Sequence, residues 1–154
     1  MIRLTTAQAW ETLAAAHTGI LTTLRRDGAP VTLPVWFVTE QRTITFKTPS
    51  ATAKVTRIRR DARASFLVES GHHWGELRGV HLSGRVEVIE NPEAMTRIDD
   101  ALAVKYAHYR PATASLPGRV QARYSQPVFL RFVPEGRVLT WDNAKIVPNT
   151  CNRR

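Results

Sequence analysis

With 154 residues, 43% of them hydrophobic, the chain can bury one core but not two, so a single domain over residues 1–154 is expected. Twenty-two Lys and Arg against 13 Asp and Glu give a formal charge of +9, which favours an anionic partner. The basic residues are spread along the chain without an extended tail or a recognition motif, which argues against nucleic acid as that partner.

The lone cysteine, Cys151, cannot form an internal disulfide, and no CxxC or Cys/His zinc spacing occurs. No apolar run reaches membrane-spanning length, and the first residues lack the continuous apolar core of a signal peptide. A reducing cytoplasm is the expected compartment.

Thr5 followed by Gln8 makes a capping-box start, and Trp10, Leu13 and Ala14 recur at helical spacing to about Ala16. Gly19 to Leu24 reads as a strand, Arg26 to Pro30 as a turn, and the β-branched and aromatic stretch Val31 to Thr39 as a second strand. Thr43 to Thr48 alternates Ile44 and Phe46 against Thr43, Thr45 and Lys47, which predicts a third. After Pro49, Ser50 is placed to cap a helix in which Ala51, Val55 and Ile58 share a face and Lys54, Arg57 and Arg60 reach outward.

Ala64 to Glu69 and Val80 to Glu90 read as two more strands, joined by the loop Ser70 to Glu76. Asn91-Pro92 starts another helix, carried by Ala94, Ile98, Ala101 and Leu102. Tyr106 to Val120 reads as loop or short helix. Val128 to Val133 and Arg137 to Trp141 form a final strand pair around Pro134-Glu135-Gly136. Antiparallel strands with helices at the edges predict a mainly β (α+β) closed or split β-barrel, and no GxGxxG follows a strand to suggest a Rossmann fold.

The strongest chemical constellation is Phe46-Lys47-Thr48-Pro49-Ser50-Ala51-Thr52-Ala53-Lys54. A helix N-terminus offers unpaired N–H groups and a positive dipole end, while Thr48, Ser50 and Thr52 add hydroxyls and Lys54 a mobile charge, a set that suits a phosphate. The plainer reading makes Ser50 an N-cap and Lys54 a solvated helix residue. Neighbouring His72 and His73 lack the Cys or carboxylate company of a metal site, and no metal is expected. No Ser/His/Asp or Cys/His nucleophilic pattern stands out.

The chain resembles the pyridoxamine-phosphate-oxidase-like superfamily of split β-barrel flavin proteins, which includes small deazaflavin-dependent reductases. The resemblance is carried by Gly19-Ile20-Leu21-Thr22-Thr23, Asp27 to Pro30, Pro34 to Phe37, Phe46-Lys47-Thr48 with Ala53-Lys54, Arg60 to Ser65, Glu76 to Val80, Gly84 to Val88, and Thr140-Trp141-Asp142 with Lys145. It implies an FMN-binding-like antiparallel split β-barrel with short flanking helices, assembled as a homodimer with cofactors at the interface.

In such proteins the strand matching Leu33, Pro34, Val35 and Trp36 lines the flavin or deazaflavin ring. Thr48, Thr52 and Lys54 match the phosphate-binding positions, within the stretch that also holds Phe46, Lys47 and Ala53. Arg78, Trp141 and Lys145 are further expected cofactor contacts, and His73 and Trp74 expected substrate contacts. Each Trp has core or interface packing as its alternative, and Arg78 pairing with Glu76 or Glu87.

The arginine-rich C-terminal motif of true pyridoxamine phosphate oxidases has no counterpart in Val147-Pro148-Asn149-Thr150-Cys151, which argues against vitamin B6 oxidation. FMN and the deazaflavin coenzyme (F-420) share a ribityl phosphate, and the deazaflavin's carboxylate tail suits the surplus of Arg and Lys. The expectation is hydride transfer from reduced F-420 to an electron-poor small molecule. An FMN-dependent oxidoreductase and a non-catalytic flavin, haem or bile-pigment carrier are the alternatives.

Overall fold

The computed structural model describes residues 2–111 and 115–146; the expectations on Cys151 and on the stretch from Val147 lie outside them. In chain order the elements are α1 (Thr6–Ala15), β1 (Gly19–Leu24), β2 (Pro30–Val35), β3 (Val38–Glu40), β4 (Thr43–Pro49), α2 (Ala53–Arg60) and β5 (Arg63–Ser70). A 3-10 turn (Trp74–Glu76) leads to β6 (Arg78–Ile89), α3 (Pro92–Lys105), α4 (Gly118–Tyr124), β7 (Pro127–Pro134), β8 (Leu139–Asp142) and a last 3-10 turn (Asn143–Lys145).

The strands form one antiparallel sheet in the order β2-β1-β5-β6-β7-β4-β3, with β8 added to β6. Its two end strands, β2 and β3, are consecutive in sequence and separated only by Trp36 and Phe37. The sheet therefore curls until a covalent link, not a hydrogen-bonded ladder, joins its edges. This is the split β-barrel that the sequence predicts.

The single strand expected from Val31 to Thr39 is thus two. The reason lies in α3: Phe37 N–H donates to the Tyr106 hydroxyl at 2.9 Å, and Lys105 Nζ donates to the Phe37 carbonyl at 3.0 Å. Side chains satisfy the backbone groups that a continuous ladder would have paired.

The expected final strand pair is also revised, since β7 and β8 do not pair with each other. The twelve-residue β6 takes β7 along Gly84 to Ile89 and β8 along Arg78 to His81, while β5 runs along its other edge. Glu135 N–H donates to the Ser83 carbonyl at the changeover.

Alternation places Leu21, Val35, Phe37, Ile44, Phe46, Phe66, Leu82 and Phe132 inside the barrel, where α1 closes one opening with Ala9 and Leu13. The capping box predicted for α1 is present, Thr5 Oγ1 accepting from Gln8 N–H and Gln8 returning the bond. A second apolar cluster lies on the outer face, where Ala94, Ile98, Leu102 and Tyr106 of α3 cover Ile89 and Phe129. No helix among the described residues is long and apolar enough to cross a membrane.

Candidate functional site

The turn between β4 and α2 departs from the sequence reading by two residues. Ser50 N–H donates to the Gln126 carbonyl at 3.0 Å, which prolongs the contact with the chain ahead of β7 and delays the helix. Thr52, not Ser50, is the N-cap residue of α2, with the extended backbone such a position needs.

Thr52 caps only through its carbonyl, which accepts from Val55 and Thr56. Its hydroxyl makes no cap hydrogen bond, and Oγ1 is buried without any partner. A buried orphan hydroxyl costs about 1–3 kcal/mol, so its persistence at a helix N-terminus points to a ligand that satisfies it.

Two residues on, Lys54 is half-buried and makes no hydrogen bond or ion pair among the described residues. Burial, and then the neighbouring Arg57, holds its pKa below the ordinary lysine value. A half-buried cation with no counter-ion and a buried hydroxyl with no partner among the described residues therefore stand at one helix end. Both needs are met by the same kind of group, an anion with several acceptor oxygens such as a phosphate.

Beside this cradle lies a cleft of about 950 Å³, which Thr48 and Pro49 line together with Trp36, Lys47, Leu102, Arg110, Val120 and Tyr124. That is room for a ligand of drug or cofactor size. Trp36 forms one wall and is fixed by parallel stacking on Tyr106, with ring centroids 4.3 Å apart, while the Arg110 guanidinium lies 5.9 Å from its ring. Lys47 is ion-paired with Asp99. Neither Thr52 nor Lys54 lines the cleft; Pro49, three positions before Thr52, is the lining residue nearest to it in the chain.

Of the expected residues, the structure gathers Trp36, Lys47 and Thr48 at the cleft and Thr52, Ala53 and Lys54 at the cradle. Leu33 and Pro34 are exposed on the free side of β2, whereas Val35 turns into the core. Phe46 is 0% exposed inside the barrel, so it supports β4 rather than touching a ligand.

Elsewhere the expected contacts have partners within the chain. Arg78 forms an ion pair with Asp142 at 2.8 Å, and neither Glu76 nor Glu87 is involved. Trp141 lies flat on Gly79, so close that a Cβ there would fall 2.1 Å from the indole. Lys145 Nζ donates to the Arg3 carbonyl at 2.8 Å and to Gln8 Oε1 at 3.3 Å.

His73 and Trp74 are exposed in the β5–β6 connection, which Glu76 fastens by accepting the His72 and His73 N–H groups. Neither lines the cleft. The sequence reading missed Arg110 and α4 as cleft components and Tyr106 as the support of Trp36. Their positions follow from packing on Trp36 and β4 and leave no local signature.

The fold has solved counterparts. A conserved hypothetical protein from Mycobacterium tuberculosis is 28% identical, with a TM-score of 0.81 over 99% of this chain and 94% of its own. A FAD-binding protein from Mesorhizobium loti is 20% identical, with a TM-score of 0.69 over 89% of this chain and 94% of its own. The heme storage protein HutZ from Vibrio cholerae is 11% identical, with a TM-score of 0.69 over 88% and 94%.

No curated protein matches the chain. The family model described as pyridoxamine 5'-phosphate oxidase matches residues 5–136, nearly the whole barrel together with both the cradle and the cleft, and the chain belongs to that family.

Proposed function

We propose that this protein is an oxidoreductase that holds a phosphate-bearing flavin or deazaflavin and passes hydride from it to an electron-poor small molecule. The observation that carries the reading is the buried, unpartnered Thr52 hydroxyl next to the unpaired, half-buried Lys54 at the start of α2. Family membership and the FAD-binding counterpart support a flavin-type cofactor. F-420 is the preferred donor and FMN the alternative.

In this reading Thr52 and Lys54 hold the phosphate, and Thr48, on the wall between cradle and cleft, contacts the chain that leads to the ring. Trp36 and the apolar lining of the cleft shelter the ring and the acceptor from water. When bound, the reduced ring supplies the hydride, so the protein's own tasks are binding, orientation and exclusion of solvent. The exposed edge of β2, with Leu33 and Pro34, is where a second copy would complete a homodimer. The cytoplasm, where reduced cofactors are made, is the proposed compartment.

Titration with F-420 and with FMN, followed by fluorescence, tests the cradle. Lys54→Ala should weaken binding by about 1.5–3 kcal/mol, at least roughly tenfold, through loss of a charge-assisted contact. Unchanged affinity would overturn the phosphate assignment. Consumption of the reduced cofactor with an added quinone or nitroaromatic separates an oxidoreductase from a carrier, which would bind without turnover.

A further inference from the structure

Among the described residues four ion pairs neutralise cations: Lys47 with Asp99, Arg63 with Asp61 at the C-cap of α2, Arg78 with Asp142 and Arg97 with Glu40. None of the four involves Lys54, Arg57, Arg60 or Arg25. Lys54, Arg57 and Arg60 succeed one another at three-residue spacing along α2, and Arg25 approaches Arg57 from the β1–β2 turn.

The carboxylates nearest to Arg60 and Arg25 in the chain each make other hydrogen bonds. Asp61 is gripped by Arg63 through its Nε and Nη2 atoms, and Asp27 accepts the Ala29 N–H at 3.0 Å. The arginines themselves are steadied by neutral acceptors: Arg57 Nε donates to the buried Thr23 hydroxyl at 2.8 Å, and Arg60 donates to the Leu24 carbonyl at 2.5 Å. Each guanidinium has five N–H donors, so most remain for a ligand.

Attraction to the negative C-terminal end of α2 accounts for basic residues in its last turn. It does not account for Arg57 and Arg60 folding back onto β1 beside Arg25, where like charges repel. Burial, followed by Arg25 and Arg60, holds the pKa of Arg57 below the ordinary arginine value.

We infer that Arg25, Arg57 and Arg60 form a second anion subsite adjoining the cradle at Thr52 and Lys54, so that the ligand of this face carries at least two negative groups. The inference rests on the phosphate cradle proposed above. The helical rise sets the spacing: Arg57 and Arg60 lie about 4.5 and 9 Å beyond Lys54 along the axis. The second negative group therefore lies within roughly that distance of the first. A diphosphate, or a phosphodiester continued by carboxylates, has this character. A lone phosphate monoester does not.

Calorimetric titration of the full chain with inorganic phosphate and with inorganic pyrophosphate, at one ionic strength, tests the subsite. Pyrophosphate should bind at least about tenfold more tightly, as expected of added charge-assisted contacts. Arg57→Gln, and separately the exposed Arg25→Gln, should erase most of that advantage while leaving phosphate affinity within about twofold. Arg42→Gln, at the opposite end of β4, removes the same charge and should change neither.

Equal affinity for the two anions, or an equal loss for both on Arg57→Gln and Arg25→Gln, would overturn the second subsite. Failure of the cradle looks different, because Lys54→Ala would then leave phosphate binding unchanged. Parallel titrations with FAD and F-420 identify the second group: a loss on Arg57→Gln confined to FAD marks a diphosphate, and one confined to F-420 marks the carboxylate tail. Loss with neither cofactor would count against the subsite.

Discussion

The helices α2 and α3 begin in opposite ways. At α3 the Asn91 side chain accepts the Ala94 N–H at 2.9 Å, Pro92 occupies the first turn without needing a partner for its nitrogen, and Glu93 adds negative charge where the dipole favours it. At α2 the hydroxyl of the cap residue, Thr52, makes no cap hydrogen bond, no acidic residue stands in the first turn, and Lys54 puts positive charge there instead. The flanks differ in the same sense. Lys47, facing α3, is neutralised by Asp99 on the helix, and the helix's own Arg97 by Glu40, whereas Lys54, Arg57 and Arg60 of α2 lie near one another and Arg25.

The difference separates an element completed by its own chain from one completed by something else. Helix α3 is a structural brace whose polar groups are satisfied locally. Helix α2 carries unmet demands of one sign, and the proposed phosphate cradle would account for that consistency.

The contrast is broken most severely by cutting into the brace. Leu102 is 1% exposed beneath α3, and Leu102→Ala should cost about 2–5 kcal/mol of stability in chemical denaturation. It should also disturb the cleft that Leu102 helps to line. A loss below about 1 kcal/mol would show that α3 is not the support described here.

The two caps give a smaller and sharper comparison. Asn91→Ala should destabilise the fold by about 1 kcal/mol, whereas Thr52→Ala, which removes no cap hydrogen bond and relieves a buried unpartnered hydroxyl, should cost the unliganded fold no stability while weakening cofactor binding. Equal losses of stability from the two substitutions would erase the distinction between the helices.

The smallest effect concerns Lys105, at the end of α3, whose amine burial lowers to a pKa of about 8. Its folded value lies below the unfolded one, so the unfolded chain holds the extra proton between about pH 8 and 10.5 and stability contributed by this site rises with pH across that window. Partial exposure to solvent keeps the slope shallow. Denaturation midpoints measured across the window should lose this rise in Lys105→Met.

Much of the scaffold was legible because it rests on local chemistry. The Thr5–Gln8 capping box, the Asn91-Pro92 helix start and the alternation of Ile44 and Phe46 each occupy a few neighbouring positions and hold as read. What the sequence misplaced depends on distant partners. Ser50 looked like a cap until Gln126 held its backbone, and Val31 to Thr39 looked continuous until Tyr106 and Lys105 took up the peptide groups of Phe37.

The site divided along the same line. Thr52 and Lys54 sit together because two positions on a helix end cannot be far apart, so the juxtaposition behind the proposed cradle is readable in the sequence. For Arg78 and Lys145, expected at a cofactor, the structure shows partners more than sixty positions away in the chain, Asp142 and the Arg3 carbonyl. Charge alone does not reveal which cations are already spoken for, and for the same reason Arg25 went unnoticed beside Arg57.

The indole of Trp141 resting on the bare backbone of Gly79 ties two strands into one evolutionary unit. Neither position can change size alone, since a methyl group at 79 would strike the ring and a small residue at 141 would leave a void above the glycine. Across the lineage of this barrel the two sites are expected to drift together, a glycine kept wherever the tryptophan is kept and bulk appearing at 79 only where it has been surrendered at 141. Paired variation of that kind would record the β6–β8 contact in sequences alone.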